Sequence, residues 1–583
     1  MLLIFSLVVG AFAQESGYNL SLSKDNISYY WLGQLQWDKR LGVKNSFAIS
    51  NKFVSNLYQE SQTGDKWKDE NNLKANWAYR FNSKLGTAFI IRSHIFSDQN
   101  STVQFNKHVA MQEVSFYPNS HIRVAPALGW AKEDIYRHAD DGWYSQMKVE
   151  IRDYDMSGYI NRSDAFSGIY FYTGRKNQEH RYFTSFNKKF SDFARDSIRV
   201  GYEYVQNSYY LARGQDLEDV VVNARFLNNH LQYDISRRSL LEVQTRVQTR
   251  DVSQSNPRLL NHRKELNFTN RVGFSYKSEK FRGELAFVNS QVTNFSSRRA
   301  GDAPEARTDI EGLQSAFNLN SRWLMSASDE LHLTFSYTKY EYTSPDTAQQ
   351  IDEDDLRFII SSLYKHRFST YFTLGINGSV YLYHQIYISA ERSANNNWNR
   401  IYQLSPSFHF TIPNAVEHTN RIKILANYTT YDFEDILQEV RSYIYRKLVY
   451  TDSLKIHLNR AFKLVSVYQL EKEDNGTFFK NIFAQQISRE LLSHFLDISL
   501  VYARFRGWQL TSALNWYLRK EWNYAPDKHL IRNYRAFSPR ISLSYQFGKN
   551  LLLHATFSPK VYRDLNIEPQ RFVTGQFVLK YLF

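Results

Sequence analysis

Six basic residues carry the most distinctive chemistry in this sequence: Arg199, Arg271, Lys423, Arg519, Arg540 and Lys580. Each lies in a segment where polar and apolar residues alternate, so each belongs to the polar face of a strand. Rings of Arg and Lys around a water-filled path favour anionic solutes. The competing account is structural: Glu203 and Glu284 share such faces, and inward charges pair across neighbouring strands. Other chemical signals are weak. Asp352-Glu353-Asp354-Asp355 lacks the glycine and the spacing of a calcium loop and reads as a solvated loop. The 16 histidines are scattered, and His108, His121 and His138 have no ligand spacing. No G-x-S-x-G, G-x-x-x-x-G-K-[ST] or H-E-x-x-H motif occurs. The reading is a protein that is not an enzyme and that needs no cofactor or metal.

The elements that must position these residues are read from the alternation itself. Leu73, Ala75, Trp77, Tyr79 and Phe81 alternate with Lys74, Asn76, Ala78 and Arg80. Trp508, Leu510, Leu514, Trp516 and Leu518 alternate with Gln509, Thr511, Asn515 and Arg519. The pattern recurs from near residue 30 to the end with no long amphipathic helix, which predicts an all-β fold.

Composition narrows the class. The chain has 583 residues, 43% of them hydrophobic, and a mean hydropathy of −0.52. After residue 14 no apolar run reaches the ~18 residues of a spanning helix, which excludes a helical membrane protein. A membrane strand needs only about 10 residues, half of them facing lipid. The 41 Tyr, 41 Phe and 11 Trp suit aromatic girdles at two membrane interfaces. Net charge is +14, but the basic residues are spread along strands rather than gathered into an arm, which argues against nucleic acid as a partner. The absence of cysteine excludes disulfides and thiolate metal sites. Met1 to Ala13 reads as a secretory signal peptide, apolar and ending in Ala11-Phe12-Ala13, although no Lys or Arg precedes its core. Residues 14–583 then form a single barrel domain.

The C-terminal segment carries a resemblance. Val573, Gly575, Phe577, Leu579, Tyr581 and Phe583 alternate with Thr574, Gln576, Val578, Lys580 and Leu582, and the sequence given stops on an aromatic. Phe577, Leu579, Tyr581 and Phe583 resemble the assembly signal of the bacterial outer-membrane β-barrel superfamily, with Val578 where that signal customarily has glycine. The resemblance implies a closing strand that runs towards the periplasm and is recognised by the barrel-assembly machinery. It also implies a place in the outer membrane, among its lipid and lipopolysaccharide. TonB-dependent receptors are similar in size, but no stretch ahead of the first strand has room for their plug.

The expectation is a single large closed antiparallel transmembrane β-barrel of about 26 strands (range about 24 to 28), since single-chain bacterial barrels close with even numbers. Short periplasmic turns are expected at Gly548-Lys549-Asn550 and Arg506-Gly507, and a hairpin at Asp474-Asn475-Gly476. Modest extracellular loops are expected at Lys560–Gln570 and Glu521–Asn533, and the longest ones at Ser296–Glu311 and Thr343–Asp355. Asn377-Gly378 reads as strand interior, and Tyr431–Val440 as the one place for a short helix. So wide a lumen calls for a flattened barrel, or for a plugging or periplasmic partner protein. Functionally the sequence points to a channel or transport pore for solutes or polymers. The alternatives are a scaffold subunit of a secretion, assembly or surface-attachment complex and, less well supported, a barrel-type lipid hydrolase.

Overall fold

The computed structural model describes residues 16–583 apart from positions 26, 60–63, 102, 136–137, 212–215, 257–258, 301–305, 345–351, 438–439, 504–506 and 566. The signal segment 1–13 lies outside the described residues. The described strands form one 28-stranded antiparallel sheet, numbered here β1 to β28 in chain order, in which every strand pairs with its chain neighbours. The sheet closes on itself where β1 (Gly17–Lys24) pairs with β28 (Ile567–Leu582), from Gly17 opposite Leu582 to Lys24 opposite Gly575. Phe583 N–H donates to the Ser16 carbonyl at 2.9 Å and extends the seam by one bond. Closure satisfies the edges that an open sheet would leave bare in lipid.

The count is 28, two more than the alternation suggested. One of the two is β1, which has only eight residues and lies ahead of the point where the pattern becomes regular. β1 also makes a step in the wall. It stops opposite Gly575, so among the described residues Ile567 to Thr574 of β28 pair on one side only, with β27 (Leu551–Asp564).

Connections differ between the two ends. At the end that holds Ser16 and Phe583 they are short, as at 42–44, 157–158, 237–238 and 548–550. At the other end they reach 388–396 and 432–442. The asymmetry is that of short turns at one end of the barrel and longer loops at the other. Gly158 (φ 85°) and Gly548 (φ 57°) supply the left-handed backbone that tight turns require. Others are built on a side chain: Asn82 Oδ1 accepts from the N–H groups of Lys84 and Leu85, and Asn119 and Asn459 repeat the device. At the end with the longer loops a four-residue helix, α1 (Glu434–Leu437), falls inside Tyr431–Val440. Its loop is tied to its neighbours: Arg441 donates to the Ala394 carbonyl and to Asn395 Oδ1, and Lys480 pairs with Asp435 at 2.9 Å.

Several expected loops are strands. β15 (Phe281–Ala300) and β16 (Ala306–Leu324) cover most of Ser296–Glu311. β18 (Glu353–Arg367) begins within the acidic run and takes most of it out of its loop. β25 (Trp508–Asn523) is followed closely by β26 (His529–Phe547), and β27 runs to Asp564, so the loops there are short. Polar sequence reported water on both faces, and the ladder continues into that water beyond the membrane. Asp474-Asn475-Gly476 is not a hairpin; it lies inside β23 (Phe462–Phe479) at a register shift. Glycine is needed there because a Cβ would sit 2.0 Å from the Gln486 carbonyl oxygen. Asn377-Gly378 lies within β19 (Phe372–Tyr387), and Gly548-Lys549-Asn550 is a turn. Arg506 lies outside the described residues, while Gly507 beside it has φ 80°.

Pro539 and Pro559 stand directly opposite one another in β26 and β27, and the paired ladder is interrupted there between Phe537 and Ile541. Neither proline has an N–H to give. The hydroxyls of Ser538 and Ser558 replace them, donating to the carbonyls of Pro559 (3.0 Å) and Pro539 (3.2 Å). Replacing both serines by alanine leaves two wall carbonyls without these donors. We expect a loss of about 1–3 kcal/mol in stability, measured as a lower melting temperature of the detergent-solubilised barrel.

Candidate functional site in the lumen

One face of the sheet can be followed around the barrel through direct cross-strand partners. Lys580, Asn19, Gln34, Lys52, Asn72, His94, Lys107 and Glu133 are successive partners from β28 through β1 to β7 (Ile122–Ile135). This face is the concave one. Strands three apart are separated by about 14 Å along a flat sheet. Yet Arg92 of β5 (Leu85–Asp98) reaches Gln146 of β8 (His138–Met156) at 3.5 Å. Lys107 of β6 (Val103–Phe116) lies 3.9 Å from the ring centre of Tyr170 in β9 (Tyr159–Tyr172). Only side chains on the inside of a tight curve meet in this way, so the wall from β5 to β9 bends sharply.

Small residues make the bend possible. Ala125, Ala127 and Ala131 of β7 point inward and are buried. Gly129 between them and Gly142 of β8 have no room for a Cβ, which would lie 2.2 Å and 1.9 Å from carbonyl oxygens. The opposite face carries the apolar residues: Leu128 and Trp143 are each 57% exposed, and Trp130 and Trp143 form a cross-strand edge-to-face pair at 5.3 Å. The lipid-facing side is therefore the greasy one and the enclosed side the polar one. The architecture is that of a closed antiparallel β-barrel with an apolar outer surface around a polar interior, the arrangement that lets strands cross a membrane.

Inside the bend, charges are matched. The Arg175 side chain is fully buried, with Glu133 at 2.5 Å, Asp140 at 2.7 Å and the Ser208 carbonyl at 2.6 Å. Glu133 also takes Lys107 (2.9 Å) and the Tyr172 hydroxyl (3.1 Å), and Tyr210 donates to Asp140 (3.1 Å). Below, Glu113 meets Arg123 (2.5 Å) and Lys148 (3.2 Å), and Arg123 also holds Glu150 (2.9 Å). The first group sets two carboxylates against two cations; in the second the exposed Arg152 also reaches Glu150 (3.0 Å), so two carboxylates meet three cations. The Tyr144 ring, stacked on Tyr170 with centres 4.3 Å apart, packs beside them.

Next to this packed arc lies a cavity of about 1140 Å³. Lys52, Lys74, Arg92, His94, Lys107 and Lys580 line it, and among the described residues no carboxylate does. Leu552, Val578 and Leu582 line its far side.

The six basic residues singled out from the sequence all lie on the inward face by register, but they do not form one site. Lys580 lines the cavity. Arg271 is paired with Glu242 (3.0 Å) and with Glu284, Arg519 with Glu521 (2.5 Å), and Arg540 with Asp497 (3.3 Å). Arg199 and Lys423 have no ion-pair partner among the described residues. Asp355, from the acidic run, is paired with Arg357 (2.7 Å) and accepts from Tyr383 (2.7 Å). The last-strand residues Phe577, Leu579, Tyr581 and Phe583 alternate with this inward set and therefore lie on the outer face; Tyr581 and Phe583 are exposed there, with their rings in edge contact at 5.3 Å. The sequence reading missed the Arg175 group and Lys52. The available signal was the run of small residues on the inward face of β7, where charged neighbours have the least water.

No protein family and no curated protein matches the sequence. Among solved structures the chain is similar to the copper transporter OprC, with a TM-score of 0.44 and 10% identity over 97% of this chain and 80% of that one. It is also similar to the ferric-catecholate import receptor Fiu from E. coli K12, with a TM-score of 0.40 and 9% identity over 98% and 82%. The siderophore receptor PirA from Pseudomonas aeruginosa gives 0.35 and 9% over 96% and 87%. Likeness at this level carries no statement about cargo.

Arg175→Met takes away the guanidinium that Glu133 and Asp140 share in a buried place. We expect it to cost about 3–5 kcal/mol, read from thermal unfolding in detergent. Adding Asp140→Asn should return much of that loss, because Asp140 is the carboxylate left without a cation while Glu133 keeps Lys107.

Proposed function

We propose that the protein is a passage for solutes across the outer membrane. The observation that supports this reading is the partly filled lumen. A round barrel with this number of strands would be about 55 Å across, whereas the packed cluster around Met111 and Tyr144 fills only the stretch from β5 to β9. Elsewhere the inward face is polar and carries basic side chains whose charge is not locally cancelled, Arg199 and Lys423 among them. Such side chains favour anions over cations along an aqueous path. In this reading Phe577 to Phe583 dock on the barrel-assembly machinery, lipopolysaccharide surrounds the outer rim, and the protein catalyses no reaction.

Conductance across a planar bilayer tests the proposal. Discrete steps with anion preference are expected from the purified barrel. Arg199→Glu with Lys423→Glu should move the reversal potential in a salt gradient towards cations. Arg271 is a poor probe, since Glu at 271 would gather three carboxylates. A silent bilayer together with a stoichiometric co-purifying protein would replace the passage by a scaffold subunit.

A further inference from the structure

The cavity beside the packed arc holds an electrostatic conflict that the protein itself does not resolve. Lys74 of β4 (Lys66–Arg80) and Arg92 of β5 are direct cross-strand partners. Side chains so paired have Cβ atoms about 5 Å apart, and like charges in that position destabilise a sheet. Lys74 also feels the positive charge of Lys148, which the more weakly felt negative charge of Glu113 offsets only in part. Lys52 lines the same space from the next strand. Among the described residues no carboxylate forms an ion pair with Lys52, Lys74 or Arg92. The contrast with the adjoining arc is sharp, because Lys107, Lys148, Arg123 and Arg175 each have a carboxylate within 3.2 Å. Within one stretch of wall, one group of cations is neutralised and the next is not.

The far side of the cavity is of a different character. Leu552, Val578 and Leu582 face it from β27 and β28, grouped around the cation Lys580, and Leu32 faces it from β2 (Ser28–Leu41). A small inorganic anion would satisfy the cations and leave this apolar side to water. An apolar molecule would cover the leucines and leave the cations facing one another.

We propose that the cavity binds an amphiphilic organic anion. Its oxyanion head, phosphate or carboxylate, lies between Lys52, Lys74 and Arg92, and its apolar body lies against Leu552, Val578 and Leu582. Arg92 offers a planar fork to two oxygens and the lysines act as point charges, so a dianionic phosphate head is held more tightly than a carboxylate. This names a substrate class for the passage proposed above and rests on that reading for its role in transport. The binding itself does not depend on transport.

Titration calorimetry on the detergent-solubilised protein tests it with four short probes. Hexyl phosphate should bind at least tenfold more tightly than inorganic phosphate, which lacks the body, and than hexanol, which lacks the charge. Hexanoate should fall between. Lys74→Gln and Arg92→Gln should each weaken hexyl phosphate at least tenfold, while Arg271→Gln, far around the wall, leaves it unchanged. A second reading guards against a variant that merely folds badly: without ligand, Lys74→Gln should raise the melting temperature, because it removes the repulsion. Equal binding of hexanol and hexyl phosphate, full affinity in Lys74→Gln and Arg92→Gln, or a lowered melting temperature in ligand-free Lys74→Gln would each overturn the proposal. Lost binding with intact conductance removes only the cavity; intact binding in a silent barrel removes only the passage.

Discussion

Everything in this structure depends on the hydrogen bonds between β1 and β28. They turn a ribbon of 28 strands into a closed surface. Before closure, two rows of backbone groups face hydrocarbon unpaired, at several kcal/mol for each group. After closure, inside and outside are defined, and every second side chain is committed to one or the other. The charge groups, the cavity and the apolar belt are consequences of that commitment.

Closure does not fix curvature. The wall can bend sharply only where inward side chains are small, and Ala125, Ala127, Gly129 and Ala131 mark that place. Bending squeezes water from the inner side, and charged residues there must find partners or lose solvation without return. The Arg175 and Glu113 groups answer that demand. The cavity next to them is where the demand is not met from within the protein.

Much of this was legible from the residues. Period-two alternation shows strands because successive side chains point oppositely, and it assigned Lys74, Arg80 and Arg519 to the polar face. It could not show length. Polar residues on both faces, as in Ser296–Glu311, mean water on both faces, and a strand standing clear of the membrane looks like a loop. Asn475-Gly476 misled for a related reason: glycine there answers the close approach of Gln486, not the positive φ of a turn. Curvature was the least visible quantity. It depends on which strands face each other across the lumen, and cross-strand partners such as Lys74 and Arg92 are fixed only by register.

The step beside β1 leaves the first half of β28 with one bare margin. Bare margins invite zipping by a foreign strand, and here the exposed residues on it include Glu568, Pro569 and Arg571. A proline that cannot donate, flanked by opposite charges, is a poor template for such an addition. In a crowded membrane, where like barrels collide sideways, such a margin disfavours edge-to-edge fusion of neighbours.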